Sequence, residues 1–428
     1  MTHVLGAQLP SGWPTSKLKL VTSFLSRGTA PNYVDYGPVR VIGQAANQAD
    51  GIDWSRTRFH DHSGDPTTLK GHLHPGDVLI NSTGTGTLGR VGYFSGPPDA
   101  LPCMADGHVS VVRFAGSEVY SRFAYYWLSS QPFREYVYAA LVVGATNQIE
   151  LSRERLADAP IPLPPLEEQR RIADFLDAEI RRMDDIQARQ QSVLSLLLER
   201  DMAVVDNAID QATKSFGRTP FRRFISRIEQ GISPLCDNTE ASLEEWGVLK
   251  VSAVKNGSFD PHENKRLPDE HVPPRRYEIR HGDLLVTRAN TPALVGSAAV
   301  VHHPRQRLLL CDKIFRIEVH PDLNKDYVAL VAQGSRIRSL CAEASHGASQ
   351  SMANLKTENI KEWPIPFAPP NAQLQVLTEV GKELESTKRL RSLIDTQLKV
   401  MAERRQALIT AAVIGQFDVT TARGADLS

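Results

Sequence analysis

Two stretches have residue types and spacings that could do chemistry. Gly84-Thr85-Gly86-Thr87-Leu88-Gly89 carries the Gly-x-Gly-x-x-Gly spacing that lets a backbone approach a pyrophosphate, and it follows an apolar run at 77–81. A dinucleotide site also needs a helix opening at that turn and an acidic residue about 20 positions on. Arg90-Val91-Gly92-Tyr93-Phe94 instead reads as a second strand, so a glycine-rich hairpin loop is expected. His60, His62, His72 and His74 form two His-x-His pairs, and alternate residues of a strand share a face, where neutral imidazoles could take zinc or copper. Gly64-Asp65-Pro66 parts the pairs, the corresponding region of the second half has only the isolated His262, His271 and His281, and no cysteine lies close. Surface histidines without a metal are therefore expected.

Other catalytic signatures are missing. There is no Asn-Pro-Pro-aromatic run of an adenine methyltransferase, no Gly-x-x-x-x-Gly-Lys-Ser/Thr phosphate loop, no Asp…Glu-x-Lys nuclease cluster and no Gly-x-Ser-x-Gly elbow. Asp184-Asp185 and Glu244-Glu245 lie in amphipathic or polar stretches and read as solvated faces. Catalysis is not expected of this chain. Its 428 residues suffice for roughly two to four domains, and 41% hydrophobic content is that of a globular protein. No apolar run approaches the roughly 20 residues of a membrane span, and residues 1–14 lack the pattern of a signal peptide, so a cytoplasmic protein is expected. Cys103, Cys236, Cys311 and Cys341 have no Cys-x-x-Cys spacing and read as reduced thiols, mostly buried.

The elements that must position any functional side chain occur twice, offset by a little over 200 residues. Arg27-Gly28-Thr29-Ala30-Pro31 answers to Gln230-Gly231-Ile232-Ser233-Pro234. Pro75-Gly76-Asp77-Val78-Leu79-Ile80 answers to His281-Gly282-Asp283-Leu284-Leu285-Val286, and Asp106 to Asp312. Pro160-Ile161-Pro162 then answers to Pro364-Ile365-Pro366, and Pro164-Pro165 to Pro369-Pro370. Matches in one order argue for internal duplication. After each proline exit the period becomes helical. Ile172, Leu176, Glu179, Met183, Ile186, Gln190, Val193 and Leu197 form one heptad seam; Val380, Leu384, Thr387, Arg391, Ile394, Leu398, Met401, Arg405 and Leu408 form another. No proline or glycine interrupts 166–216, so a helix of roughly 45 residues, about 68 Å long, is expected. Pairing of the two helices would make them antiparallel. The expected fold class is α+β: two similar mixed α/β domains separated by two long antiparallel coiled-coil helices, a pseudo-two-fold dumbbell.

The junction Pro160-Ile161-Pro162-Leu163-Pro164-Pro165-Leu166-Glu167-Glu168-Gln169-Arg170-Arg171-Ile172, together with the duplicated Gly-Asp strands and their later Gly89 and Gly296, resembles the specificity subunits of type I restriction-modification enzymes. The resemblance covers nearly the whole chain. It implies two target-recognition domains, 1–165 and 216–367, alternating with two helical conserved regions, 166–215 and 368–420, and a flexible tail at 421–428. It implies a subunit without chemistry of its own that recognises a split, asymmetric site in double-stranded DNA, one half per domain. Two methyltransferase subunits would dock at the helices, and restriction subunits would join the full complex. S-adenosylmethionine, ATP and Mg would be held by those partners and none by this chain. The second junction, Pro369-Pro370-Asn371-Ala372-Gln373-Leu374, lacks the pair Glu168-Gln169 and is expected to do less well whatever that pair does.

Lys and Arg number 13 against 13 Asp and Glu at 1–160, 7 against 11 at 166–215 and 21 against 18 at 216–365. This is a weak footprint for holding nucleic acid alone, so a partner is expected to supply positive charge. The same architecture would serve a non-enzymatic protein-binding scaffold or an anti-restriction regulator, and the neutral charge leaves that alternative open. For DNA, bases are read by two-pronged side chains and phosphates gripped by hydroxyls and amides. The candidates are Gln44, Asn47, Thr83, Thr85, Arg90, Asn147 and Gln148 in the first half, and Lys255, Asn256, Thr287, Arg288, Asn290, Ser349 and Gln350 in the second. Because these differ between the halves, the half-sites should differ in sequence.

Overall fold

The computed structural model describes residues 2–49, 51–84, 86–143, 149–255, 257–344, 353–416 and 419. The chain divides into two compact units, Met1–Arg189 with Thr396–Ser428, and Gln190–Asp395. Each of the two long helices contributes one part to each unit. Among the described residues no helix is long and apolar enough to cross a membrane.

The first unit is built from Thr22–Arg27 (β1), Tyr33–Val34 (β2), Val39–Ile42 (β3), Arg58–His60 (β4), Asp77–Asn81 (β5), Val91–Phe94 (β6), Cys103–Ala105 (β7) and Val109–Phe114 (β8). They form two sheets in the orders β6-β5-β8-β1 and β7-β3-β4-β2, antiparallel except for the parallel pair β7 and β3. β5 is buried along its length because the two sides of its pleat face different cores. Val78 and Ile80 join the core around helix Ser121–Ser129 (α1), and Leu79 joins Ile42, Phe94 and Val111 on the other side.

The second unit repeats this plan. Ile225–Gln230 (β9), Gly247–Leu249 (β10), Asn264–Arg266 (β11), Leu284–Thr287 (β12), Ala298–Val300 (β13), Leu308–Leu309 (β14) and Ile314–Val319 (β15) form sheets in the orders β9-β15-β12-β13 and β11-β10-β14. The one parallel pair, β10 with β14, again falls in the second sheet. Leu284 and Val286 face one core and Leu285 the other, as their counterparts in β5 do. The duplication read from the sequence is thus a duplication of topology.

The repeated glycine after β1 and β9 has a steric cause. A Cβ on Gly28 would lie 2.0 Å from the Ala105 carbonyl oxygen, and one on Gly231 would lie 1.9 Å from that of Leu310. In both units the chain crosses a backbone that has no room to move aside. Gly231→Ala is therefore expected to destabilise the second unit by at least about 1–3 kcal/mol, the usual cost of forcing extra volume into packed structure. A thermal melt of the variant that matches the parent would reject this account.

Each unit closes on a proline-flanked isoleucine. Pro160–Pro162 pairs antiparallel with Thr15–Lys17, and Pro364–Pro366 with Arg218–Pro220. Prolines cannot donate to a ladder and are tolerated in such two-stranded edges, while Ile161 and Ile365 are wholly buried between them. The helices Leu166–Phe216 (α2) and Pro370–Val413 (α4) follow.

The expectation of a weaker second junction is corrected here. Gln169 is fully buried; its Oε1 accepts from the Tyr120 amide at 2.8 Å, and its Nε2 donates to the carbonyls of Glu118 at 2.9 Å and Pro164 at 2.8 Å. Gln373, 1% exposed, accepts from the Asn324 amide at 2.8 Å and donates to the carbonyls of Asp322 at 2.9 Å and Ala368 at 2.7 Å. The Gln169 amide bonds back to Pro165 and the Gln373 amide to Pro369. The true register therefore sets Pro165 against Pro369, one residue away from the alignment of the proline pairs. The glutamine was retained all along.

The second seam behaves as its spacing predicts, every member from Val380 to Leu408 being buried or half-buried. The first does not. Ile172 and Leu176 pack into the first unit's core, but Ile186 and Val193 are 48% and 40% exposed. A real helix rotates about 20° per heptad away from a strict 3.5-residue repeat, and here the sheltered row takes in Leu194 beside the seam residue Leu197 and goes on to Val204 and Val205. Within the second unit the two helices run antiparallel: Asp201 pairs with Arg391 at 2.8 Å, Arg200 with Glu383 at 2.7 Å, and Val205 packs with Val380.

Candidate nucleic-acid interface

In the first unit the loops at the ends of β3, β5 and β7 and the starts of β6 and β8 meet, and the candidates Gln44, Thr83 and Arg90 meet with them. The Thr87 hydroxyl donates to Gln44 Oε1 at 3.2 Å, Thr83 Oγ1 lies 2.8 Å from His108 Nδ1, and Arg90 Nη1 donates to Gln48 Oε1 at 2.7 Å. Arg90 is thereby held half-buried with its fork partly free of the protein. The row continues through Asp106, whose Oδ1 accepts from the His108 amide at 2.8 Å and whose Oδ2 accepts from the Tyr33 hydroxyl at 3.4 Å. The Arg58 guanidinium lies 3.6 Å from the centroid of the Tyr33 ring, a cation–π contact. Burial raises the Asp106 carboxyl above its ordinary value, and burial followed by the neighbouring Asp106 raises the Tyr33 hydroxyl.

Gln48, Thr87, His108, Tyr33 and Arg58 were not among the sequence candidates. They come from strands and loops far apart in the chain, and only the repeated Asp106 pointed toward the cluster. Asn47 is a correction in the opposite sense. It is wholly buried, and its Nδ2 donates to Asn81 Oδ1 at 2.9 Å and to the carbonyls of Leu79 and Arg90. It braces the loops and presents no edge to solvent.

The same end of the second unit carries a different set. Arg288 is half-buried, and its Nη1 donates a long bond to the Asp312 carbonyl at 3.5 Å. Lys313 Nζ lies 3.2 Å from Asp312 Oδ1. Asn290 Oδ1 accepts from the Thr291 amide at 2.8 Å, leaving its side-chain amide hydrogens directed elsewhere. Lys255 is exposed on the hairpin of Val254–Lys255 and Ser258–Phe259. Thr287 is wholly buried, donating to the Leu294 carbonyl at 3.0 Å and accepting from the Ser297 amide at 3.0 Å, so it too serves the fold. Thr85, Asn147, Gln148, Asn256, Ser349 and Gln350 lie outside the described residues.

The glycine-rich stretch resolves into a hairpin. The segment after β5 returns as the antiparallel β6, with Ile80 opposite Val91, so no helix opens at the glycine-rich turn. His60 stacks on His62 with ring centroids 5.8 Å apart, and His72 meets His74 edge-on at 5.0 Å. Among the described residues no three His, Cys, Asp or Glu side chains gather to hold a metal ion. The four cysteines are free, and burial pushes the thiols of Cys311 and Cys341 up to about 11.

Residues 10–195 match the type I restriction modification DNA specificity domain. The type I restriction enzyme EcoEI specificity subunit of Escherichia coli is 30% identical over 191 residues, which are 44% of this chain and 32% of that protein. The chain thus spans about a third of that relative. The EcoKI specificity subunit of Escherichia coli K12 is 22% identical across 96% of this chain and 90% of its own length. A solved chain of a type I restriction-modification system, described for complex assembly and conformational transition, shares the fold with a TM-score of 0.59 at 14% identity, covering 96% of this chain and all of that one. The duplicated units, the proline exits into long helices and these likenesses agree: the chain is similar to the specificity subunits of type I restriction-modification enzymes.

Proposed function

We propose that this chain reads a split, asymmetric sequence in double-stranded DNA, each unit reading one half. Its paired helices set the spacing and dock two methyltransferase subunits in a pseudo-two-fold arrangement. Restriction subunits complete the assembly, and the partners hold S-adenosylmethionine, ATP and Mg. One observation carries the reading: a duplicated framework holds two different polar ends, Gln44, Arg90 and His108 in the first unit and Arg288, Asn290 and Lys313 in the second. Arginine forks and carboxamides are the side chains that discriminate guanine and adenine in the major groove. Exposed Ile186, Leu196, Leu198, Leu393 and Val400 give the helices apolar surface for partners.

The test is methylome sequencing with the gene present and deleted. A split adenine-methylation motif that vanishes on deletion is the expected result; a motif set that does not change rejects the proposal. Arg288→Ala is expected to weaken or relax only the half-site read by the second unit, by about 1–3 kcal/mol if the fork meets a guanine. Loss that is uniform over all DNA sequences would show a phosphate contact or misfolding instead.

A further inference from the structure

We propose that Gln169 and Gln373 are positioning residues that clamp each long helix to the unit it leaves, and that these clamps confine the split DNA site to one spacer length. The inference rests on the DNA-reading function proposed above. Each glutamine sits in the first turn of its helix and ties together three segments of its own unit: the proline exit, the helix start, and the turn that opens α1 in the first unit or Lys325–Val331 (α3) in the second. Tyr120 and Asn324, whose amides the glutamines accept from, are the N-cap residues of those helices.

The clamp uses the full donor capacity of a carboxamide. Glutamate has the length but not the two donors, asparagine is too short, and an apolar side chain takes from an amide and two carbonyls the partner they have here, the Pro164 or Ala368 bond being fully buried. The same bonds recur in both units, whereas the polar ends that would meet bases differ. A device kept in both copies while the reading surface diverges belongs to what the copies share, which is placement.

Small angular freedom at this point has a large effect. Helix α2 has 51 residues, about 76 Å at 1.5 Å per residue. A tilt of about 5° at its start swings its far end sideways by roughly 7 Å, enough to shift a recognition surface against the half-site it faces.

Gln169→Met and Gln373→Met, made singly in the full chain and expressed with its partner subunits in the host, test the clamp by genome-wide methylation. The parent should methylate one spacer length. In each variant, spacers one base pair shorter or longer should rise to within about tenfold of the original, with half-site bases unchanged, since losing bonds of this kind is worth about that factor. Where a methionine variant fails to fold, Gln169→Glu or Gln373→Glu, which keeps the size and the acceptor, is read in the same way. Methylation confined to the original spacer, even with a lowered melting temperature, would overturn the proposal by showing a merely structural role. So would altered bases within a half-site. A parent that yields no split motif defeats the DNA-reading function itself, and the clamp with it.

Discussion

Arg113→Met is expected to destabilise the first unit by about 3–5 kcal/mol, the cost of stripping a buried ion of its partner. For a unit of roughly 200 residues that corresponds to a fall in melting temperature of about 6–20 °C. Asp77 has 1% side-chain exposure and accepts from Arg113 Nε and Nη2, each at 2.8 Å, and from the His74 amide at 2.8 Å. Arg113 also donates to the His72 carbonyl at 2.9 Å. The pair joins the central strand β5 to its neighbour β8, and the carboxylate of the variant would stay buried with the His74 amide in place of the arginine. Adding Asp77→Asn to Arg113→Met should recover much of the loss, because a neutral amide in that place carries no uncompensated charge. Calorimetry on the single and double variants decides it: a single-variant loss below about 1 kcal/mol, or a double variant worse than the single, refutes the account. The second unit has the matching pair Asp283 and Arg316, reinforced there by Glu229, whose Oε2 accepts from Arg316 Nε at 3.0 Å.

Removing one heptad from each long helix is expected to shorten the spacer between half-sites by about three base pairs, since seven helical residues rise about 10 Å and base pairs about 3.4 Å. The deletions belong between Asp184 and Arg200 in α2 and between Thr387 and Arg405 in α4, which preserves the pairs Asp184–Arg405 and Arg200–Glu383. A whole heptad keeps the helical phase to within about 20°, so each recognition surface should still face its half-site. The measured quantity is the methylated motif. The same half-sites at the original spacing would rule out the helices as the ruler.

Much of the fold was legible because duplication exposes what a backbone requires. The glycines at 28 and 231 repeat because two carbonyl oxygens leave no space for a Cβ, and Asp77 and Asp283 repeat because each holds a turn and an arginine from the neighbouring strand. The seam of α4 was legible for a simpler reason, since a regular period on one helix places its members on one face.

The sequence by itself determined the repeated units, the proline exits, the long helices and the hairpin at the glycine-rich loop, all of which depend on residues near one another in the chain. Only the tertiary structure decided that Asn47 and Thr287 turn inward, that His108, Tyr33 and Arg58 join the polar end, that the sheltered row of α2 leaves Ile186 and Val193 exposed, and that Gln373 stands where Gln169 does. Each of these depends on which distant segment packs alongside. Local periodicity states which residues share a face; it does not state what that face meets.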